Sequence, residues 1–103
     1  MINSNVKRLW AEGHIVLNGW LSVASPFTAG SRAERGDEAQ TSDIKHGLGG
    51  YETATTMREA MRASGVTPMV RVPWLSPGDI MKALDAGAWG IICPMINNGE
   101  EAR

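Results

Sequence analysis

Three residues near the middle of the chain have side chains that could move a proton and hold an anion. Asp43 and His46 lie three positions apart, and Arg71 follows on a separate apolar segment. Because the unperturbed pKa of histidine lies near neutrality, His46 could act as a general base. Asp43 could orient His46 or hold a metal-bound water. The alternative for His46 is a loop histidine exposed to water.

Arg71 is the residue whose neighbours are most informative. Strand side chains alternate between two faces, so Arg71 should point away from the face used by Val70 and Val72. A partly buried guanidinium needs an anion, and its planar fork suits a substrate carboxylate held by two hydrogen bonds. A structural salt bridge to a neighbouring Asp or Glu is the alternative interpretation.

Two further features lie near these residues in the sequence. Asp85, at the end of a predicted helix, is another possible partner for His46. Gly47, Gly49 and Gly50 either cradle a phosphate or allow a tight turn, and they do not match the dinucleotide fingerprint because no strong strand is predicted before them. No cluster of His, Cys, Asp and Glu in the sequence has the spacing of a zinc site.

The bulk composition is that of an ordinary globular protein. The chain has 103 residues, of which 43% are hydrophobic and 20% charged, and its net charge is −1. This length predicts one domain over residues 1–103, and the charge balance argues against nucleic acid or a membrane surface as partner. A single cysteine, a polar N-terminus and the lack of a long apolar run predict a cytoplasmic protein.

Hydrophobic periodicity predicts helices that alternate with strands. Helices are predicted over 5–12, 51–64 and 76–88, and strands over 15–23, 67–74 and 89–95. The helix over 51–64 should have one apolar face and end at Gly65; that face consists of Tyr51, Ala54, Met57, Ala60 and Met61. The helix over 76–88 should begin with Ser76 as its cap and Pro77 in its first turn, and Gly87 should end it. Residues 28–42 have no clear period and predict a solvated helix with a poor strand, or a loop. Asn98 should cap one more helix, with Glu101 reaching back to it.

This alternation predicts a parallel α/β sheet. Four βα units amount to half of a (β/α)₈ barrel, and a small open α/β sheet is the alternative. Ligands of such folds bind at the carboxyl ends of the strands. The polar or unusual groups near those ends are Trp20–Ser22, Asp43 with His46, Arg71, and Pro94 with Asn97.

Six strings occur in a specific order and spacing: NGWLSVASPFTA, DIKHGL, YETATTM, GVTPMVRVPW, IMKALDAGAWGIICPMINN and EEA. Together they resemble the N-terminal half of the HpcH/HpaI aldolase family, the class II pyruvate aldolases related to 2,4-dihydroxyhept-2-ene-1,7-dioate aldolase. The resemblance implies a TIM barrel that uses a divalent metal, Mg²⁺, Mn²⁺ or Co²⁺. It also implies reversible cleavage of a 4-hydroxy-2-oxo acid to pyruvate and an aldehyde.

The resemblance also implies roles for individual residues. Arg71 matches the arginine that binds the pyruvate carboxylate and steadies the enolate, and His46 matches the histidine that transfers protons. Asp43 matches the aspartate beside the metal-bound water, and Asp85 the aspartate that supports the histidine. Trp20 matches a substrate-binding tryptophan at the end of the first strand.

The sequence departs from the family at three places. The metal-ligating Glu and Asp of the family are expected beyond Arg103, so no metal ligand is assigned within this chain. Lys45 stands before His46, where the family usually has Gln or Glu. Gln40 and Ser42 stand where buried aliphatic residues are expected, and each could cost about 1–3 kcal/mol if its polar group stayed unpaired.

Three hypotheses follow for the function. The first is a pyruvate aldolase of which this chain is an N-terminal portion, with an incomplete site. The second is a non-catalytic half-barrel that self-associates or pairs with another half. The third is a small phosphate-binding domain that uses Gly47–Gly50. Since the first and fourth strands of a half-barrel would have open edges, we also expect a homo-oligomer.

Overall fold

The computed structural model describes residues 5–22, 25–33, 36–44 and 51–103, and its framework is a four-stranded parallel sheet. The strands lie side by side in chain order: β1 (Asn18–Leu21), β2 (Ala39–Asp43), β3 (Thr67–Arg71) and β4 (Gly90–Ile92). Each neighbouring pair is parallel. The predicted parallel α/β sheet is therefore confirmed.

Helices alternate with the strands along the described chain. They are α1 (Asn5–Ala11), α2 (Pro26–Ala33), α3 (Tyr51–Met61) and α4 (Pro77–Asp85), and a 3₁₀ turn over Arg62–Ser64 extends α3. Because parallel neighbours need a crossover connection, each of α2, α3 and α4 returns the chain from the end of one strand to the start of the next. Within the described ranges, none of the helices has both the length and the apolar character that a bilayer crossing requires.

The capping residues of α3 and α4 are those that the sequence predicts, although α4 ends at Asp85 and not at residue 88. Pro77 occupies the first turn of α4, and Ser76 Oγ accepts a hydrogen bond from the Asp79 backbone N–H at 3.5 Å. Gly87 then takes a left-handed conformation with φ of 104°, which a glycine adopts without steric cost. Gly65 ends the 3₁₀ turn after α3 in the same way, with φ of 78°.

The apolar core lies between the sheet and the connecting helices. One cluster joins α2 and α3 to β1, and a second joins α3 and α4 to β3. Their buried members are Leu21, Ala29, Met57, Met61 and Val66 in the first, and Ala54, Val70, Val72, Ala83 and Ala88 in the second. The predicted inner face of α3 is thus confirmed at Ala54, Met57 and Met61.

The segment that looks weakest in the sequence forms the best-buried strand. All five residues of β2 are buried, although residues 28–42 predict at most a solvated helix and a poor strand. The burial arises because β2 pairs with a strand on each side and its backbone groups are used in both ladders. It also follows that a strand does lead toward Gly47–Gly50, contrary to the prediction.

The first and last strands are shorter than predicted. Residues 15–23 and 89–95 were expected to be buried strands, but only Asn18–Leu21 and Gly90–Ile92 pair. Ile15 and Leu17 are 84% and 61% exposed, and all three residues of β4 are half-buried. The physical reason is that β1 and β4 are the outer strands of the described sheet, in which each pairs with one neighbour.

Residues beyond β4 form turns and not the predicted helix. Asn98 Oδ1 accepts a hydrogen bond from the Glu101 N–H at 3.0 Å, as expected of a cap. Glu101 Oε2, however, accepts from the Asn97 N–H at 2.7 Å and not from Asn98. The Glu101 carboxylate therefore accepts its hydrogen bond from the residue before Asn98, one position earlier than predicted.

Candidate active site

One face of the sheet carries polar side chains instead of the apolar core. Leu21 and Val70 point toward the helices, so their chain neighbours point to the opposite face. We call this opposite face of β1, β2 and β3 the polar face. The side chains that define it are Asn18, Trp20, Thr41, Asp43 and Arg71.

Arg71 and Asp43 form an ion pair at the carboxyl ends of β2 and β3. They are direct partners in the strand register. Arg71 Nε donates to Asp43 Oδ1 at 3.2 Å, and Arg71 Nη2 donates to Asp43 Oδ2 at 2.6 Å. The Asp43 side chain is 2% exposed and that of Arg71 is 24% exposed. The predicted direction of the Arg71 side chain is confirmed. Its salt bridge to Asp43 is the interaction that the sequence analysis gave as the alternative to binding a substrate carboxylate.

The ion pair occupies only one edge of the guanidinium. Asp43 binds the side edge, which carries Nε and Nη2, whereas the end edge carries Nη1 and Nη2. Among the described residues, no side chain or carbonyl forms a hydrogen bond with Nη1 of Arg71. A guanidinium has five N–H donors, so a second anion can bind at the end edge while Asp43 stays in place.

Trp20 contacts both members of the pair from β1. Its indole Nε1–H donates to Asp43 Oδ2 at 3.2 Å. The Cζ atom of Arg71 lies 5.0 Å from the centroid of the Trp20 ring, within the range of a cation–π contact. Asp43 therefore receives hydrogen bonds from the two strands that flank it.

A second polar contact lies closer to the amino ends of the strands. Asn18 Nδ2 donates to Thr41 Oγ1 at 2.8 Å, and the Thr41 hydroxyl lies 3.0 Å from Asn18 Oδ1, to which it can donate. The sequence interpretation missed this pair. The alternation of Asn18 with Trp20 and of Thr41 with Asp43 is the signal that could have found it.

Asp85 is the other predicted catalytic residue that the structure describes, and it does not join this cluster. His46, Gly47, Gly49 and Gly50 lie outside the described residues. Asp85 is exposed and ends α4, which returns the chain to the amino ends of the strands. It therefore lies at the end of the sheet opposite to Arg71.

The other two predicted strand ends carry exposed groups. Ser22 follows β1 and is exposed, and Asn97 lies beyond Pro94 with its side chain exposed. The amide Nδ2 of Asn97 donates to the Met95 carbonyl at 3.3 Å. Neither residue forms a hydrogen bond with the Asp43–Arg71 pair in the described part of the chain.

The described residues do not fit a divalent metal by themselves. Among them, no group of three or more His, Cys, Asp and Glu side chains is placed to hold a metal ion. Asp43 is the acidic side chain at the carboxyl edge of β2, and both of its oxygens accept hydrogen bonds from Arg71. We therefore derive no chemical step through a metal from these residues.

Sequence comparison relates the chain to named aldolases. No family model matches the sequence. A hydroxypyruvate/pyruvate aldolase of Rhizorhabdus wittichii is 37% identical over 100 residues, which are 97% of this chain and 40% of the relative. A 4-hydroxy-2-oxo-heptane-1,7-dioate aldolase of Shigella boydii is 32% identical over 102 residues, or 99% of this chain and 39% of the relative. The chain thus spans about 40% of the length of these curated relatives.

Structural comparison gives the same relation. An HpcH/HpaI aldolase/citrate lyase family protein of Burkholderia cenocepacia superposes with a TM-score of 0.90 at 26% identity, over 97% of this chain and 40% of that structure. The citrate synthase SbnG matches with a TM-score of 0.85 at 29% identity, over 93% of this chain and 39% of that structure. The chain is therefore a relative of the HpcH/HpaI aldolases, and it corresponds to the N-terminal half of their TIM barrel.

Proposed function

We propose that this chain supplies the pyruvate-binding half of an aldolase site, which reversibly cleaves a 4-hydroxy-2-oxo acid to pyruvate and an aldehyde. The observation that carries the proposal is the paired arginine at the carboxyl edge of the sheet. Arg71 is held on its side edge by Asp43, and its end edge suits a substrate carboxylate. The relatives in the sequence comparison are named aldolases, which favours this proposal over a non-catalytic half-barrel.

The proposed role of Arg71 is to bind the carboxylate and to stabilise charge as the substrate breaks. Two charge-assisted hydrogen bonds from Nη1 and Nη2 would orient the carboxylate. When the bond between C3 and C4 breaks, negative charge develops on the C2 oxygen of the pyruvate enolate. A guanidinium already fixed beside that oxygen stabilises the charge without having to reorganise.

Asp43 is proposed to keep Arg71 in the productive orientation. Its carboxylate is almost fully buried and is bonded to both Arg71 and Trp20. Because Asp43 already holds the Arg71 side chain, Arg71 loses little rotational freedom when substrate binds. In this role Asp43 acts through Arg71 and does not itself touch the substrate.

His46 is proposed to accept the proton of the 4-hydroxyl and to donate a proton to C3. The 4-hydroxyl gives up its proton as the aldehyde leaves, and C3 of the enolate takes up a proton to become the methyl group of pyruvate. An imidazole is suited to both transfers near neutral pH. Asp85 has no step in this scheme, because it lies at the opposite end of the sheet.

We also propose that residues 1–103 form one partial-barrel domain and that the chain self-associates. β1 and β4 are the outer strands of the described sheet, and open strand edges favour pairing with another chain. Large apolar side chains are exposed nearby, among them Ile15, Leu17, Trp89 and Met95. The single cysteine favours a reducing compartment such as the cytoplasm.

The proposal is tested by coupling substrate cleavage to lactate dehydrogenase, which consumes NADH as pyruvate appears. Because the described residues do not fit a divalent metal by themselves, we expect the purified chain to bind pyruvate, seen as a rise in Tm that Arg71→Ala abolishes. Any release of pyruvate from a 4-hydroxy-2-oxo acid should need added Mg²⁺, Mn²⁺ or Co²⁺ and should also be lost in Arg71→Ala. Arg62→Ala is the matched control, because Arg62 is exposed and makes one ion pair of 3.6 Å with Glu59 among the described residues.

The outcomes separate the hypotheses. Pyruvate release that Arg71→Ala abolishes and Arg62→Ala preserves supports the aldolase. A pyruvate-induced rise in Tm without release, lost in Arg71→Ala and kept in Arg62→Ala, supports the pyruvate-binding half of the site without cleavage by this chain alone. Neither release nor a rise in Tm would refute the proposal.

A further inference from the structure

Trp20 is the residue through which β1 reaches the Arg71–Asp43 pair. It makes two different contacts, one through its indole Nε1–H with Asp43 Oδ2 at 3.2 Å and one through its ring face with the Arg71 guanidinium at 5.0 Å. The hydrogen bond restrains the Asp43 carboxylate, and the ring restrains the Arg71 guanidinium. One side chain therefore restrains both members of the pair.

The strand register explains why the residue must be large and carry a donor. Trp20 is opposite Thr41, two positions before Asp43 on β2. Asp43 is thus a diagonal neighbour, and such neighbours lie about 7–8 Å apart at the backbone, a gap that aromatic side chains span. The indole bridges this gap and still presents an N–H at its far end.

The position of Trp20 does not serve the apolar core. Its side chain belongs to neither buried cluster, and the residue is 42% exposed. Exposing this much of an indole gives up much of the free energy that burial of a tryptophan provides. Among the described residues, its specific contacts are those with Asp43 and Arg71.

The two hydrogen bonds with Asp43 do not by themselves fix the orientation of the Arg71 guanidinium. Asp43 fixes Nε and Nη2, but the guanidinium can still tilt about that edge, on a flexible stem that is partly exposed. A ring lying beneath the guanidinium limits the tilt. The Trp20 ring therefore also sets the direction of the end edge, where a carboxylate would bind.

We infer that Trp20 is a positioning residue that aims the end edge of the Arg71 guanidinium by bonding Asp43 and stacking against Arg71. The inference rests on the proposed function only in naming pyruvate as the anion that the end edge receives. It assigns Trp20 a role through Arg71, distinct from direct contact with substrate.

The test compares two substitutions of Trp20 with a tryptophan control in the full chain. Trp20→Phe keeps a ring face but removes the N–H donor, and Trp20→Leu removes both. Trp10→Phe is the control, because Trp10 lies on α1 beside Thr67 and Gly90, at the amino ends of β3 and β4. The readouts are the Kd for pyruvate by calorimetry, the Nε–H signal of Arg71 in ¹⁵N NMR, identified by its loss in Arg71→Lys, and Tm.

We expect Trp20→Phe to raise the Kd for pyruvate about five-fold, the worth of one hydrogen bond, with a shift of the Arg71 Nε–H signal. Trp20→Leu should raise it by more than about ten-fold, since the cation–π contact is lost as well. Trp10→Phe should change neither the Kd for pyruvate nor the Arg71 Nε–H signal. Because Kd is measured well below Tm for every variant, a merely structural role would leave Kd unchanged.

Unchanged Kd and an unchanged Arg71 signal in both Trp20 variants would overturn the inference. If the unsubstituted chain does not bind pyruvate, the proposed function fails, and the Arg71 signal alone then decides the positioning role. If Trp20→Leu does not fold, Trp20→Phe and its Arg71 signal decide it.

Discussion

Asp43 and Arg71 face each other across β2 and β3, joined by hydrogen bonds of 2.6 and 3.2 Å between a nearly buried carboxylate and a partly exposed guanidinium. The parallel register brings them together at the carboxyl edge of the sheet. Since the carboxylate has little access to water, its charge depends on the hydrogen bonds that it accepts. The same pair therefore supports the fold and forms the base of the proposed site.

The unequal burial of the two side chains predicts unequal costs when one is removed. Arg71→Met should destabilise the chain by about 3 kcal/mol, because the buried Asp43 carboxylate loses both hydrogen bonds that Arg71 donates. Asp43→Asn should cost only about 1 kcal/mol, because the exposed side of Arg71 can be hydrated. Urea unfolding of the two single variants and the double variant measures both costs and a coupling of about 1–3 kcal/mol. Additive costs in the double variant would show that the pair is not coupled.

The core side of β2 contains a polar group without a partner in the described part of the chain. Gln40 is fully buried, and its Oε1 and Nε2 atoms form no hydrogen bond with the described residues. Gln40→Met keeps the length of the side chain and removes the unpaired amide, so it should stabilise the chain by about 1–2 kcal/mol. Gln40→Glu is the opposing control and should destabilise it, because it buries a charge. Loss of stability in Gln40→Met, measured by urea unfolding, would mean that the amide does have a partner in solution.

The Asn18–Thr41 contact should contribute to the pairing of β1 with β2. Thr41 is fully buried and its hydroxyl is bonded to the Asn18 amide. Thr41→Val keeps the shape and removes the hydroxyl, so it should cost about 1 kcal/mol in unfolding free energy. Thr41→Ser retains the hydroxyl and loses only a methyl group, and it separates the hydrogen bond from packing. If the valine variant is as stable as the unsubstituted chain, the hydroxyl makes no net contribution.

Local signals in the sequence were enough to predict α3, α4 and the direction of Arg71. Each depends on neighbours in the chain: the spacing of Met57 and Met61, the cap at Ser76, and the alternation around Arg71. The resemblance to a known family favoured a half-barrel over a small open sheet. It also favoured functional roles for Arg71 and His46, for which the sequence pattern alone left a structural alternative.

What could not be predicted depends on contacts between strands. β2 has a polar sequence, and it is buried because β1 and β3 lie on both sides of it. Ile15 and Leu17 are apolar, yet they are exposed because they precede an outer strand. The contacts of Trp20 with Asp43 and Arg71 depend on the register of three strands, which no local pattern specifies.

Open strand edges predict that the chain self-associates through β1 and β4. Sedimentation velocity should therefore show a species at least twice the 11.1 kDa mass of the monomer. Leu17→Lys should weaken this association about ten-fold, because it places a charge beside the outer edge of β1, where it would have to lose water on pairing. Met81→Lys is a matched control, since Met81 is exposed to nearly the same extent, 63% against 61% for Leu17, but lies on α4. A stable monomer, or an equal loss of association in both lysine variants, would argue against pairing through the edge of β1.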